Sequence, residues 1–197
     1  MLTRRRTIQQ IVEEQARRWE TARQLSRPKT QTRVTVVTVS REPGSGGRLI
    51  AQGVSQALGF DLFHQEVIHE MAESAQAKKL LLETLDEKGL SVIEDLISSL
   101  VYDRHLWPDE YLKHLMKVVG TIGKHGQAVI IGRGANFILP KDRILRIRVA
   151  APLELRIQRV MEEFGTNEEE TRRRVMRTES NRRAFIRKYF NASIMDP

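Results

Sequence analysis

The sequence predicts an α/β fold, in which helices cover a central parallel sheet. Short apolar runs alternate with longer amphipathic stretches, and residues 34–40 (VTVVTVS) form the first such run. Continuous β-branched runs are typical of strands buried in a parallel sheet. Glycine-rich turns directly follow two of these runs, and ligands of such folds bind at the carboxyl ends of the strands. The chain has 197 residues, of which 40% are hydrophobic, so it can build one domain with a substantial core.

The first 33 residues carry most of the positive charge. They contain nine Lys and Arg residues and three Glu, and the whole chain has a formal net charge of +8. Residues 3–25 lack Gly and Pro, and their apolar residues recur at helical spacing, which predicts an amphipathic helix. Residues 26–32 (SRPKTQT) interrupt this pattern as a linker does. We therefore expect a basic helical arm and linker over residues 1–32 and the main domain over residues 33–197.

The role of this arm is open between several interpretations. A solvated basic helix is the simplest of them. The helix could also pack on the domain or join a second copy of the chain in a homo-oligomer. Its basic residues favour polyanions, although nucleic acid is the partner that we expect least.

Several classes of protein are excluded by composition. The chain has no cysteine, which excludes disulfides, thiolate catalysis and cysteine–zinc sites. No apolar run reaches the roughly 18 residues of a membrane helix, and no signal-peptide pattern follows the first basic residues. We therefore expect a cytoplasmic protein. The five histidines show no metal-ligand spacing, so we interpret them as surface or capping residues.

The remaining elements follow from apolar periodicity and from glycine, proline and capping residues. Helices are expected over residues 49–58, 65–77, 79–100 with an interruption near Gly89, 109–125 ending at Gly126, 152–164 opening at Pro152, and 168–190 after a Thr166 or Asn167 cap. Strands are expected over residues 60–63, 128–131 and 144–149. Strands thus alternate with helices, as in a doubly wound fold.

Residues 44–47 (GSGG), the glycine loop, lie between the first strand and the next helix. Glycines let backbone amides point at one centre, and the start of the helix adds free N–H groups and a positive dipole end. The usual phosphate loop has the pattern G-x-x-x-x-G-K-[ST]. Gly46 can take its last glycine, but Gly47 then stands in the place of the lysine. Arg48 could supply the missing cation, and a tight turn without a ligand is the alternative.

A second glycine-rich turn follows the strand expected over residues 128–131. Residues 132–134 (GRG) open a space at that strand end, and Arg133 could reach into it. The alternative is a surface arginine beside an ordinary turn.

The last helix carries an unusual number of arginines. Arg174, Arg177 and Arg182 are spaced so that several can share one side of the helix, with Glu179 among them. Cations of this kind can form a lid over a transferring phosphoryl group. A solvated charged helix and an RNA-binding helix are the alternatives.

Taken in order, these motifs resemble the cytidylate kinase-like family, a branch of the nucleoside monophosphate kinases. The segment VTVSREPGSGGRLIAQGVSQALGF is similar to the opening of that family, whose loop SRE-x-GSGG-R lacks the lysine. The segments DLFHQEVIHEMA, AVIIGRGANFIL, APLELRIQRVMEEFG and RVMRTESNRRAFIRKYF are similar to its later motifs. The resemblance covers residues 34 to about 190, so it leaves out the arm.

The resemblance implies a P-loop NTPase fold of three layers, α/β/α, and a transferase that moves a phosphoryl group from ATP to CMP or dCMP, with Mg²⁺ as cofactor. The residues that it implies for the ATP phosphates are Gly44, Ser45, Gly46, Gly47 and Arg48. Those for the acceptor are Arg133 and Asn136, and those for the lid are Arg174, Arg177, Glu179 and Arg182. Of these, Arg48, Arg133, Arg177 and Arg182 are the expected catalytic residues. Kinases of this type add a last strand and helix, which we expect the domain over 33–197 to lack.

The sequence departs from established cytidylate kinases at three positions. Gly47 replaces the loop lysine, Gly134 replaces the Asp of a GRD motif, and Ile131 replaces an acidic residue before the glycine. These departures motivate an alternative function, a catalytically degenerate regulatory protein that binds nucleotides without turning them over.

Overall fold

A central sheet of four parallel strands organises the computed structural model, which describes residues 7–24 and 35–195. The strands are β1 (Val36–Arg41), β2 (Asp61–Phe63), β3 (Ala128–Ile131) and β4 (Ile144–Val149). Their order across the sheet is β2-β3-β1-β4, and every neighbouring pair is parallel. The predicted α/β fold with a parallel sheet is therefore confirmed, and all four strands end at one edge of the sheet.

Helices flank this sheet throughout the described residues. They are α1 (Ile8–Gln24), α2 (Gly47–Leu58), α3 (Gln65–Glu73), α4 (Ala75–Glu83), α5 (Glu87–Arg104), α6 (Glu110–His125), α7 (Ala135–Ile138), α8 (Leu153–Phe164) and α9 (Glu168–Phe190). A short 3-10 helix, Lys141–Arg143, precedes β4. None of the described helices combines the length and the apolar character needed to cross a membrane.

Alternate residues of the strands face two separate cores. Val36, Ala128 and Ile130 belong to the larger core, which α3, α4, α6 and α9 complete. Val37, Val39 and Ile131 face the other side of the sheet and pack against Ala51 of α2. This two-sided burial explains why the strand sequences are continuously apolar.

The helical region between β2 and β3 differs from the prediction in its breaks. We expected helices over residues 65–77 and 79–100 with an interruption near Gly89, and these boundaries are wrong. The first helix ends at Glu73, because the Ser74 side chain accepts a hydrogen bond from the Ala77 amide and starts a new helix. Gly89 lies inside the first turn of α5, where its amide donates to the Asp86 carboxylate. Side-chain capping therefore sets both breaks.

Helix α1 packs against α3 and α4 within the chain. Val12 is fully buried in the larger core, and the Trp19 ring stacks on the His125 ring with centroids 3.8 Å apart. The Gln15 side chain donates to the Asp61 carboxylate at 2.8 Å, which ties α1 to the start of β2. Residues 1–6 and 25–34 of the predicted arm and linker lie outside the described residues.

Candidate functional site

The glycine loop lies at the carboxyl end of β1, between the strand and α2. Gly44 and Gly46 have φ angles of 76° and 82°, a region that residues with a side chain rarely adopt. A Cβ atom on Gly44 would also clash with the main-chain carbonyl of Arg156 in α8. The loop conformation therefore depends on glycine, both for its backbone angles and for the close approach of α8.

The Gly46 amide and the first two amides of α2, those of Gly47 and Arg48, have no hydrogen-bond partner within the described part of the chain. The Ser45 amide donates to the Glu42 carbonyl at 3.2 Å, and the Leu49 amide donates to the Gly46 carbonyl at 3.0 Å. The amides of Gly46, Gly47 and Arg48 make no such bond. Free amides at the positive end of a helix dipole form a ready binding site for an anion.

The hydroxyl of Ser45 is a further polar group without a partner in this loop. Ser45 is 5% exposed, and its Oγ atom has no hydrogen bond. A buried hydroxyl normally finds a partner. The loop thus holds one unsatisfied hydroxyl beside its free amides.

Guanidinium groups gather around the N-terminus of α3, next to the loop. Arg48 Nη2 lies 3.4 Å from a Glu66 carboxylate oxygen. The Arg182 side chain, which comes from α9, donates to the main-chain carbonyl of Arg41 at the end of β1. Arg41 Nη1 in turn lies 3.7 Å from the Cβ position of Gly132, at the end of β3. Two strand ends and three helices therefore share one cationic corner.

The charges in this corner act on one another. Burial lowers the pKa of Arg41; Glu66 opposes that shift, and Arg48 adds to it. Burial and Arg41 lower the pKa of Arg182 to about 10. Burial by itself would raise the pKa of Glu66, but hydrogen bonds from its own amide and from Gln65, together with Arg48 and Arg41, hold it below its usual value. Glu66 stays ionised, yet the cations outnumber it, so a second anion would be stabilised here.

Arg133 adds a fourth guanidinium from the turn after β3. Its φ angle is 54°, and its Nε donates to the Gln65 carbonyl at 3.3 Å. Its guanidinium lies over the Phe185 ring of α9, 5.6 Å from the centroid. We call Arg41, Arg48, Arg133 and Arg182 the arginine cluster.

The residues that follow Arg133 are Gly134, which packs closely against α9, and the start of α7. A Cβ atom on Gly134 would clash with the Phe190 ring, so this position is closed to the aspartate of a GRD motif for steric reasons. Asn136 follows in α7, where it is half-buried, and its side chain has no hydrogen-bond partner among the described residues.

The Glu179 carboxylate makes its ion pairs with arginines outside the arginine cluster, although its charge also acts on Arg182. Its carboxylate accepts from Arg156 Nη1 at 3.0 Å and also pairs with Arg183. The buried Arg156 side chain reaches Glu42, directly after β1, with its Nε 3.5 Å from the carboxylate. Arg156 therefore joins the glycine-loop segment to α9 through α8.

Two of the predicted lid arginines lie away from the cluster. The Arg174 guanidinium packs over the Phe164 ring of α8, 4.0 Å from its centroid. Arg177 is exposed and has no hydrogen bond or ion pair within residues 7–24 and 35–195. It lies two residues before Glu179, which places it about 200° around the helix from that inward-facing residue.

Sequence reasoning missed Arg41, Glu66 and Arg156 as members of this site. Arg41 directly follows a buried strand, so its position at the end of β1 was a usable signal. Glu66 lies in the first turn of α3, where an acidic residue also has a capping role, and Arg156 lies in a helix with many charged residues. Their sequence context therefore gave no reason to separate them from ordinary surface charges.

A metal ion at this site would need oxygen ligands from a bound nucleotide in addition to those of the protein. No group of three or more His, Asp or Glu side chains in the described part of the chain could hold a metal. Glu66 pairs with Arg48, and its charge also acts on Arg41 and Arg182. This donor set fits Mg²⁺ in its usual kinase form, where one carboxylate adds to phosphate and water oxygens.

Comparison with known proteins gives a family and a fold. The sequence model of the cytidylate kinase-like family matches residues 36–197. Among solved structures, the chain is similar to the crystal structure of an uncharacterized protein from Eubacterium ventriosum, with 20% sequence identity and a TM-score of 0.61. The match covers 84% of each chain. No curated protein matches the sequence.

Proposed function

Because the chain belongs to the cytidylate kinase-like family, we propose that it transfers a phosphoryl group from ATP to a nucleoside monophosphate, with CMP or dCMP as the acceptor. Family membership indicates a nucleotide kinase-like function. The donor, the acceptor and the residue roles given below are the proposal.

One observation carries the proposal: free main-chain amides and a cluster of four guanidiniums occupy the same edge of the sheet. The amides of Gly46, Gly47 and Arg48 offer one anion site. Arg133, which donates to the Gln65 carbonyl at the start of α3, offers a cation for a second anion. Phosphoryl transfer requires two phosphates in line and neutralisation of the charge on the moving group, and little other chemistry from the protein.

Each part of the site has a role in this reaction. The glycine loop and the Arg48 amide hold the donor phosphates, and Arg133 with Asn136 holds the acceptor. Arg182 and Arg41 stabilise the charge on the equatorial oxygens of the transferring phosphoryl group. The guanidinium of Arg48 exchanges its exposed ion pair with Glu66 for a phosphate oxygen, which costs little because such surface pairs are weak.

Glu66 would hold Mg²⁺ together with the nucleotide. When bound, the ion neutralises the phosphate oxygens as a Lewis acid. Release of Glu66 from Arg48 frees the carboxylate for this purpose and the guanidinium for the donor phosphates. Both groups therefore change partner together when the nucleotide enters.

A coupled assay for ADP formation tests the proposal with ATP, Mg²⁺ and each nucleoside monophosphate in turn. We expect turnover with CMP or dCMP, and a loss of about 10²- to 10³-fold in kcat for Arg133→Ala, by analogy with removal of a single charge-stabilising donor. Arg143→Ala is the matched control, since this exposed arginine precedes β4 at the opposite edge of the sheet. The absence of turnover with every monophosphate would overturn the kinase assignment.

A second candidate function is a nucleotide-binding regulator without catalysis. It is favoured by Gly47, Gly134 and Ile131, which stand where established kinases carry a lysine and acidic residues, and by the ion pair that occupies Arg48. Saturable ATP binding without ADP formation in the same assay would favour this candidate. Steady turnover that Arg133→Ala abolishes would exclude it.

A further inference from the structure

The glycine loop lacks its lysine, and Arg48, the nearest arginine in sequence, has an acidic partner in the structure. Its guanidinium extends toward α3 and pairs with Glu66. Before a nucleotide binds, α2 therefore offers the free amides of Gly46, Gly47 and Arg48 no unpaired cation. A different side chain fills this place in the structure.

Helix α8 lies directly on the glycine loop. Arg156 provides the carbonyl that excludes a side chain at Gly44, and its guanidinium pairs with Glu42 at the start of the loop. The Glu42 carboxylate also accepts a hydrogen bond from the Ala151 amide, two residues before α8 begins, at 3.1 Å. Main-chain and side-chain contacts thus fix α8 against the loop.

Arg159 follows one turn after Arg156 on the same side of α8. Its Nη1 atom lies 3.3 Å from the Cβ position of Gly46, the residue that provides the first free amide. Arg159 is exposed, and it has no ion pair or hydrogen bond with any described residue. Its guanidinium is therefore an uncommitted cation held over the start of α2.

We propose that Arg159 binds the donor phosphates in place of the loop lysine, so that α8 supplies the cation of the glycine-loop site. This inference rests on the proposed function, and its ligand is a polyphosphate, the triphosphate of a nucleotide. Guanidinium donates two parallel hydrogen bonds to phosphate oxygens. A phosphate on the Gly46, Gly47 and Arg48 amides would have Arg159 as its partner on the α8 side.

Isothermal titration with inorganic tripolyphosphate, and separately with ATP, tests this residue without relying on catalysis. We expect Arg159→Ala to weaken the affinity for both ligands by about 10- to 100-fold, as for loss of a hydrogen-bonded charge. Arg159→Lys should recover part of the loss, because it restores the charge but not the paired donors. Arg48→Ala should lose less than Arg159→Ala, and Arg143→Ala should lose nothing.

The outcomes separate this inference from the proposed function. If the wild-type protein binds both ligands and Arg159→Ala binds them equally well, the role of Arg159 is refuted while the proposed function stands. A larger loss of affinity for Arg48→Ala than for Arg159→Ala also refutes it, because the cation that binds the donor phosphates is then Arg48 of α2. If the wild-type protein binds neither ligand, both proposals fail. Since Arg159 is exposed, unchanged thermal melts should show that each variant is folded.

Discussion

Gly47, which stands in the place of the lysine in the usual phosphate loop, has a packing role in this protein. A Cβ atom there would lie 2.6 Å from the Arg41 Cβ and 3.3 Å from the Val149 Cβ. A lysine could not enter without displacing the arginine at the end of β1. The loss of the lysine and the presence of Arg41 at this corner are therefore linked by the space that they share.

This contact predicts that Gly47→Ala destabilises the protein. The added methyl group overpacks the interface between α2 and β1, at a cost of about 1–3 kcal/mol in the free energy of unfolding. Gly53→Ala, in the same helix, is the control, because no atom lies within 4 Å of its Cβ position. It should stabilise the helix by about 0.5–1 kcal/mol. Urea unfolding measures both, and equal effects of the same sign would contradict the account.

The buried charge of Arg182 predicts that bound phosphate raises the thermal stability of the protein. Burial and the charge of Arg41 lower its pKa to about 10, so it is charged at neutral pH in a place where a cation is costly. Saturating tripolyphosphate should raise the melting temperature of the wild-type protein by about 5–10 °C, from mass action near 100 Kd. Arg182→Met should lose most of this rise. An equal rise in the variant would show that the anion binds elsewhere.

The sequence predicted those parts of the site in which a glycine motif determines the backbone conformation. The glycine loop and the GRG turn both occur at strand ends, as their patterns predicted. Arg48 pairs with Glu66, Arg182 is affected by the Glu66 charge, and Arg133 donates to the neighbouring Gln65 carbonyl. Arg177 makes no such contact among the described residues, since spacing on a helix allows several faces and tertiary packing selects one. The directions of long side chains depend on partners that are distant in sequence, which a motif does not specify.

At the scale of elements, the contact between α4 and α6 predicts a pH dependence of stability. Nδ1 of half-buried His114 lies 2.5 Å from Nζ of Lys78. Burial and then Lys78 lower the pKa of His114, although Glu110 opposes them. Below pH 6.5, the unfolded chain therefore takes up a proton that the folded protein does not bind. The free energy of unfolding consequently decreases as the pH is lowered.

Urea unfolding at a series of pH values between about 7.5 and 5 measures this slope. His114→Gln should flatten it without removing it, because the pKa of His64 is also lowered, by burial and then by Arg48. The same slope in the variant and in the wild-type protein would contradict the assignment to His114.

The contact of α8 with α9 predicts that substitution of the buried Arg156 lowers the free energy of unfolding strongly. Arg156→Met removes the buried cation that Glu42 and Glu179 share and leaves them their more exposed partners Arg148 and Arg183, which should cost about 3 kcal/mol in the free energy of unfolding. Adding Glu179→Gln should recover part of that loss, since one of the two charges is then removed. Arg172→Ala is the control, because its exposed pairs with Glu154 and Glu168 are worth about 0–1 kcal/mol. Comparable losses for Arg156 and Arg172 would refute the bridging role.

Element boundaries were predictable where burial or glycine determined them. The predicted spans of β3 and β4 agree with the structure, and α6 ends at Gly126 as expected. The breaks around α4 were not predictable from periodicity, because Ser74 and Asp86 act as caps inside a long polar stretch that contains many candidates. The docking of α1 also depends on tertiary contacts, such as the stacking of Trp19 on His125.

At the scale of the whole molecule, the excess positive charge is partly neutralised within α9. Arg172, Arg173 and Arg183 each pair with a glutamate four residues earlier on the same helix. In the arginine cluster, by contrast, four guanidiniums face the charges of Glu66 and Glu179. Positive charge is therefore in excess at this part of the carboxyl edge of the sheet, which suits a compact polyanion such as the triphosphate of a nucleotide.

The response of the amides of Gly46, Gly47 and Arg48 to phosphate tests directly whether this end of β1 binds an anion. In a ¹H–¹⁵N NMR titration with tripolyphosphate, we expect large downfield shifts for the Gly46, Gly47 and Arg48 amides, saturating with a common dissociation constant. The Gly53 amide, in the same helix, should respond weakly. Saturable binding that leaves the three loop amides unchanged, or no binding at all, would contradict the account.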